Sequence, residues 1–135
     1  MLAFLLDTDT VSNVLRGHGP AASRLTAHSP SEVCISALTV GELRYGAERR
    51  RSRRLHKIID VFIASVEVAP FDAACGAAYG RVQAALASKG TPIGTLDTLI
   101  ASHALALNLT LVSNNSKHFS KVRGLKLANW NEEAR

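Results

Sequence analysis

The stretch Met1-Leu-Ala-Phe-Leu-Leu-Asp-Thr-Asp-Thr-Val11 decides the fold class. Its apolar run from Leu2 to Leu6 is too short to span a membrane and has the unbroken hydrophobicity of a strand buried on both faces. The run stops at Asp7, with Asp9 two residues on. Open α/β sheets bind their ligands at the C-terminal ends of the strands, so Asp7 stands where a ligand is expected. A desolvated carboxylate needs a cation or hydrogen-bond donors to compensate it, so the rest of the chain must supply what meets Asp7.

Further along, strands and helices alternate. Thr8 to Leu15 leads into a short helix, with Asp9 or Thr10 as a natural N-cap. Arg16 to Pro20 breaks it, and a second helical piece runs up to Pro30. Val33–Ala37 reads as a buried strand, and the stretch that follows as a helix beginning near Thr39, with Glu42 in its first turn. From Leu55 the apolar residues Leu55, Ile58, Ile59, Phe62 and Ile63 mark another helix by their period. Val66–Pro70 alternates as a short strand. The Ala-rich run Phe71–Ser88 is the longest predicted helix, ended by Gly90. A glycine- and proline-bearing loop leads to a helix starting around Thr95, with Asp97 in its first turn, and Leu109–Ser113 is a further strand. A helical turn around Phe119 and a final edge strand in Leu125–Trp130 complete the chain. The alternation predicts one three-layer α/β domain over residues 1–135 with a mainly parallel central sheet.

The 135 residues are 47% hydrophobic and 20% charged, a composition that excludes a disordered tail. A net charge of +5 makes a polyanionic partner a reasonable expectation. No apolar stretch approaches the roughly 20 residues of a spanning helix. The start has no basic segment ahead of its apolar run, so a signal peptide is not expected and a cytoplasmic location is. Cys34 and Cys75 sit in apolar surroundings without metal or redox spacing, and read as buried free thiols.

Asp7, Glu42 and Asp97 occupy comparable places, one at a strand end and two in predicted first helical turns. Right-handed crossovers put strand C-termini and the following helix N-termini on one edge of a parallel sheet, so these three can converge. Converging carboxylates repel unless protonated or bridged by a metal, and oxygen ligands without Cys or His favour Mg²⁺ or Mn²⁺. Each acid also has a simpler reading. Thr39-x-x-Glu42 fits a capping box, and Asp97 complements the helix dipole behind a Thr95 cap. Asp72 and Asp9 read as caps. Only the set of three favours the site.

Arg44, Arg49, Arg50, Arg51, Arg53 and Arg54, with Lys57, form a basic run broken by Glu48 alone. Such a run is usually solvated surface, but here it continues from the segment carrying Glu42 and is suited to phosphate. The five histidines have no metal-ligand spacing. His103 reads as a packed helix residue, whereas His118 follows a strand end on the predicted ligand edge.

LLDTDTVS, ISALTVGELRYGA, GTPIGTLDTLIASHALALNLTLVSNN and FSKVRGLKLANW together resemble the PIN domain, in particular VapC-type toxins, over nearly the whole chain. The resemblance implies a Mg²⁺- or Mn²⁺-dependent endoribonuclease of a toxin–antitoxin pair, cutting structured RNA of the tRNA or rRNA class. It also implies a homodimer neutralised by a cognate antitoxin. Carried over by position, Asp7, Glu42 and Asp97 would be the metal-binding and catalytic acids. Asp7 and Asp97 would hold the ion, and Glu42 would position or deprotonate water. The family often has a fourth acid near SNNSKHF; here Ser113, Asn115 and His118 occupy that region, and Asn115 could orient a water or ligand.

Two other readings remain open on the sequence. LLDTDTV also fits the first motif of haloacid-dehalogenase-type phosphatases, with Asp7 as nucleophile and Asp9 as general acid/base. That family's paired C-terminal acids are missing. A non-catalytic RNA-binding module is the other alternative, suggested by the missing fourth acid.

Overall fold

The structure is a computed structural model and describes residues 1–132. Five short strands form the sheet: β1 (Phe4–Leu6), β2 (Val33–Ser36), β3 (Glu67–Ala69), β4 (Thr110–Val112) and β5 (Leu127–Ala128). All neighbours are parallel, in the order β3-β2-β1-β4-β5. β1 is therefore central, with Leu5 opposite Cys34 on one side and Leu111 on the other.

Pleating sends alternate residues of β1 into two cores. Leu5 packs with Cys34, Leu111, Leu86, Ile100, Ala104 and Phe119. These come from α5 (Ala73–Ser88), α6 (Thr95–Leu107) and α7 (Ser116–Phe119), besides the strands. Leu6 faces the opposite way, with Val11, Ala21, Ile35, Leu43, Ile59, Phe62 and Trp130. This second layer is α1 (Thr8–Arg16), α2 (Ala21–Thr26), α3 (Ala37–Arg49) and α4 (Arg53–Ser65). The three-layer arrangement with a parallel sheet is the one predicted. The continuous apolar run was needed because both faces of β1 are covered.

The chain leaves β1 for β2 on one side, and β4 lies on the other. The topological switch point of the sheet thus falls at the C-terminal end of β1, immediately before Asp7.

Three helix starts differ from expectation. Asp7, rather than Asp9 or Thr10, caps α1, because the helix begins one residue after the strand; Asp9 lies in its first turn. α3 starts at Ala37 under a Ser36 cap, so Glu42 sits in its second turn and Thr39-x-x-Glu42 is no capping box. Gly94, not Thr95, precedes α6, and it has φ 97°, a backbone conformation that side chains disfavour. Asp72 does cap α5, and Cys34 and Cys75 are buried free thiols.

Candidate metal centre

Asp7, Thr8, Asp9, Glu42, Gly94, Thr95 and Asp97 line one cleft of about 470 Å³ at the C-terminal edge of the sheet, floored by Ile93 and Ile100. Each acid arrives from a different element. Asp7 is held by β1 on one side and α1 on the other: its N–H continues the ladder to the Val112 carbonyl at 3.0 Å. Its Oδ1 accepts the Thr10 N–H at 2.9 Å. Only 6% of the residue is exposed. That burial raises the Asp7 pKa above the usual carboxylate value; hydrogen bonding from Ser113 and Thr10 acts in the opposite direction, and the charge of Asp9 adds to the rise.

Glu42 projects from the second turn of α3. The Thr8 hydroxyl donates to its Oε1 at 2.6 Å and lies 3.2 Å from the Thr39 hydroxyl. Asp97, in the first turn of α6, has His118 Nδ1 3.5 Å from its Oδ2. The N-termini of α1 and α6 both open on the cleft, so their positive ends offset part of the acidic charge.

Among the described residues, no lysine or arginine is ion-paired with Asp7, Asp9, Glu42 or Asp97. The donors are carboxylate and hydroxyl oxygens, the kind a hard divalent cation takes. No three His, Cys, Asp or Glu side chains among the described residues are gathered tightly enough to ligate one ion. Glu42 rests on Thr8 and Asp97 lies beside His118 instead. Such parking is expected of acids that repel one another, and the donor set fits Mg²⁺ or Mn²⁺ in kind.

The basic run does not form one stripe. Arg44 lies between α3 and α4, where it donates to the Asp60 carboxylate and to the His56 carbonyl at 3.2 Å. It is thereby engaged in holding two helices together. Arg49 ends α3, Arg50 and Arg51 form the turn, and Arg53 and Arg54 open α4; all five are exposed. Arg50 lines a groove of about 130 Å³ that shares Thr8 and Glu42 with the cleft and also includes Arg16.

Ser113 stands beside Asp7, and Asn115 and His118 follow it beside Asp97. Sequence reasoning assigned Asp9 to a cap and did not single out Thr8 or Gly94. Adjacency to Asp7 was the available signal for Thr8. His103 is fully buried, as expected: its Nδ1 meets the Ser36 hydroxyl at 2.8 Å, joining α6 to the cap of α3, and burial lowers its pKa.

Comparison with known proteins agrees with this geometry. A family model described as PIN domain matches residues 4–125. The chain is 34% identical over 131 residues to the tRNA(fMet)-specific endonuclease VapC of Shigella flexneri, covering 96% of this chain and 99% of that one. It is 39% identical over 101 residues to ribonuclease VapC2 of Rickettsia felis, covering 74% and 75% of the two chains. DNA-bound VapBC from Salmonella typhimurium superposes with a TM-score of 0.89 at 34% identity, over 96% of this chain and 99% of that chain. With the Asp-x-Asp segment built as the start of a PIN-type cleft, the phosphatase alternative loses its footing. The chain belongs to the PIN-domain family, among its VapC ribonucleases.

Proposed function

We propose that the chain is an endoribonuclease toxin that hydrolyses phosphodiester bonds of structured RNA of the tRNA or rRNA class with Mg²⁺ or Mn²⁺, works in the cytoplasm as a homodimer, and is neutralised by a cognate antitoxin. The observation that carries this reading is the convergence of Asp7, Glu42 and Asp97 on one cleft with no basic side chain paired to them. Asp7 and Asp97 would hold the ion, with Glu42 adjoining it. When bound, such an ion supplies positive charge that polarises the phosphodiester and acidifies nearby water.

The protein's own groups account for the remaining steps. Thr8 holds one oxygen of Glu42 and leaves the other to accept a proton from the attacking water. Asp7, fixed by Thr10 N–H and buried, is a rigid anchor for the cation. Arg50, at the rim of the adjoining groove, and the exposed Arg49, Arg51, Arg53 and Arg54 are placed to meet the RNA backbone.

The test is incubation of the purified chain, freed of any partner, with total RNA in Mg²⁺, in Mn²⁺ and in EDTA. Discrete cleavage that requires the ion and disappears in Asp7→Ala is the expected result. Absence of cleavage with either ion would sink the nuclease reading and leave a non-catalytic RNA-binding module.

A further inference from the structure

A polar chain runs along the wall of the cleft from Ser113 to His118. The Ser113 hydroxyl accepts the Asn115 N–H at 2.9 Å, and Asn115 Nδ2 donates to His118 Nδ1 at 3.1 Å. An amide N–H group only donates, so Nδ1 receives it with a lone pair and the ring proton lies on Nε2. The same Nδ1 is 3.5 Å from Asp97 Oδ2, beyond hydrogen-bond length. Two electron-rich atoms therefore face each other at the edge of the cleft. Neighbouring donors to one divalent ion stand roughly 3–3.5 Å apart, given metal–ligand distances of about 2.0–2.2 Å. The side chains of His118 and Asp97 are 46% and 39% exposed, so an ion can reach both.

We propose that His118 is a ligand to the divalent ion, through Nδ1 beside Asp97, and that this nitrogen biases the site towards Mn²⁺ over Mg²⁺. The proposal rests on the reading of the Asp7–Glu42–Asp97 cleft as a metal site. Imidazole suits first-row transition ions, whereas Mg²⁺ keeps to oxygen ligands and water. Asn115 acts as a positioning residue, since its amide sets which ring nitrogen offers the lone pair. The region that lacks a fourth carboxylate thus offers a different donor.

The experiment is titration of Mn²⁺ into metal-free protein, read by electron paramagnetic resonance, with pulsed spectra to detect a coordinated imidazole nitrogen and Mg²⁺ competition to obtain the preference. The wild-type protein should bind Mn²⁺ with a directly coordinated ¹⁴N. In His118→Ala that coupling should vanish, with Mn²⁺ affinity falling about tenfold and Mg²⁺ affinity less than about threefold. His118→Asp should bind both ions without the nitrogen coupling and narrow the Mn²⁺ preference by about tenfold. Bound Mn²⁺ without nitrogen coupling, or an unchanged preference in His118→Ala, overturns the assignment of His118 and leaves the cleft reading standing. No Mn²⁺ binding by the wild-type protein overturns both.

Discussion

Asp7 and Asp72 each follow a parallel strand, cap the next helix and accept the N–H three residues on, Thr10 at 2.9 Å and Cys75 at 3.1 Å. Their local chemistry is the same, yet their settings are opposite. Asp7 follows the central strand at the switch point and is buried; Asp72 follows an edge strand and is exposed. Burial raises the pKa of Asp7, whereas hydrogen bonds from Cys75 lower that of Asp72. Capping alone therefore says nothing about chemistry. Position in the sheet decides whether a capping carboxylate is a stabilising surface group or a charge held in readiness for a cation.

The comparison extends to pH. A carboxyl whose folded-state pKa is raised weakens folding as pH climbs from its unfolded pKa through its folded one, and the full handicap applies above that. Asp7 is such a group. Asp72 is the converse: its contribution is complete above the unfolded pKa and is lost as pH falls through the lowered one.

Removing the charge of Asp97 should have the largest effect outside Asp7 itself. Asp97→Asn is expected to slow RNA cleavage by about 10³-fold with an unchanged melting curve in EDTA, measured on one labelled RNA under fixed Mn²⁺. Wild-type activity would separate Asp97 from Asp7 and place it with Asp72. Glu42→Gln should cost less, about 10–100-fold, because the amide still accepts from Thr8 but no longer takes a proton readily; a steeper loss than Asp97→Asn would reverse their order.

Smaller effects should come from the basic turn. Charge reversal at Arg49, Arg50 and Arg51 should flatten the salt dependence of RNA binding, by about 0.7 in log–log slope for each phosphate contact removed. An unchanged slope would return that turn to solvated surface. The smallest effect is thermal. Asp7→Asn keeps a good N-cap and removes the buried charge, so at neutral pH in EDTA it should melt roughly 2–5 °C above wild type. That gain should shrink as pH falls towards the ordinary carboxylate value of 3.8. A melt below wild type at neutral pH would mean that the charge itself supports the fold.

The central strand, its terminal acid and the layering were legible because Leu2–Leu6 is apolar without alternation, a pattern that demands cover on both faces. Asp97 was legible from the glycine-marked loop before it. The start of α3 was not, because Ser36 and Thr39 are both good caps within an apolar segment, and burial of Ser36 against His103 decides between them. Pairings such as Thr8 with Glu42, Arg44 with Asp60 and His118 with Asp97 are tertiary, spanning 34, 16 and 21 positions, and leave no local pattern. For the same reason the arginine run looked continuous, although Arg44 turns inward and a positive φ at Arg51 breaks the helix.

The most direct test sets the two capping aspartates side by side: cleavage of one RNA in Mn²⁺ by Asp7→Asn and Asp72→Asn, with both variants confirmed folded. Asp72→Asn should cleave within about twofold of wild type, and Asp7→Asn should fall by about 10³-fold or more. Equal loss in the two variants, or a fully active Asp7→Asn, would contradict the assignment of Asp7 as the anchor of the site.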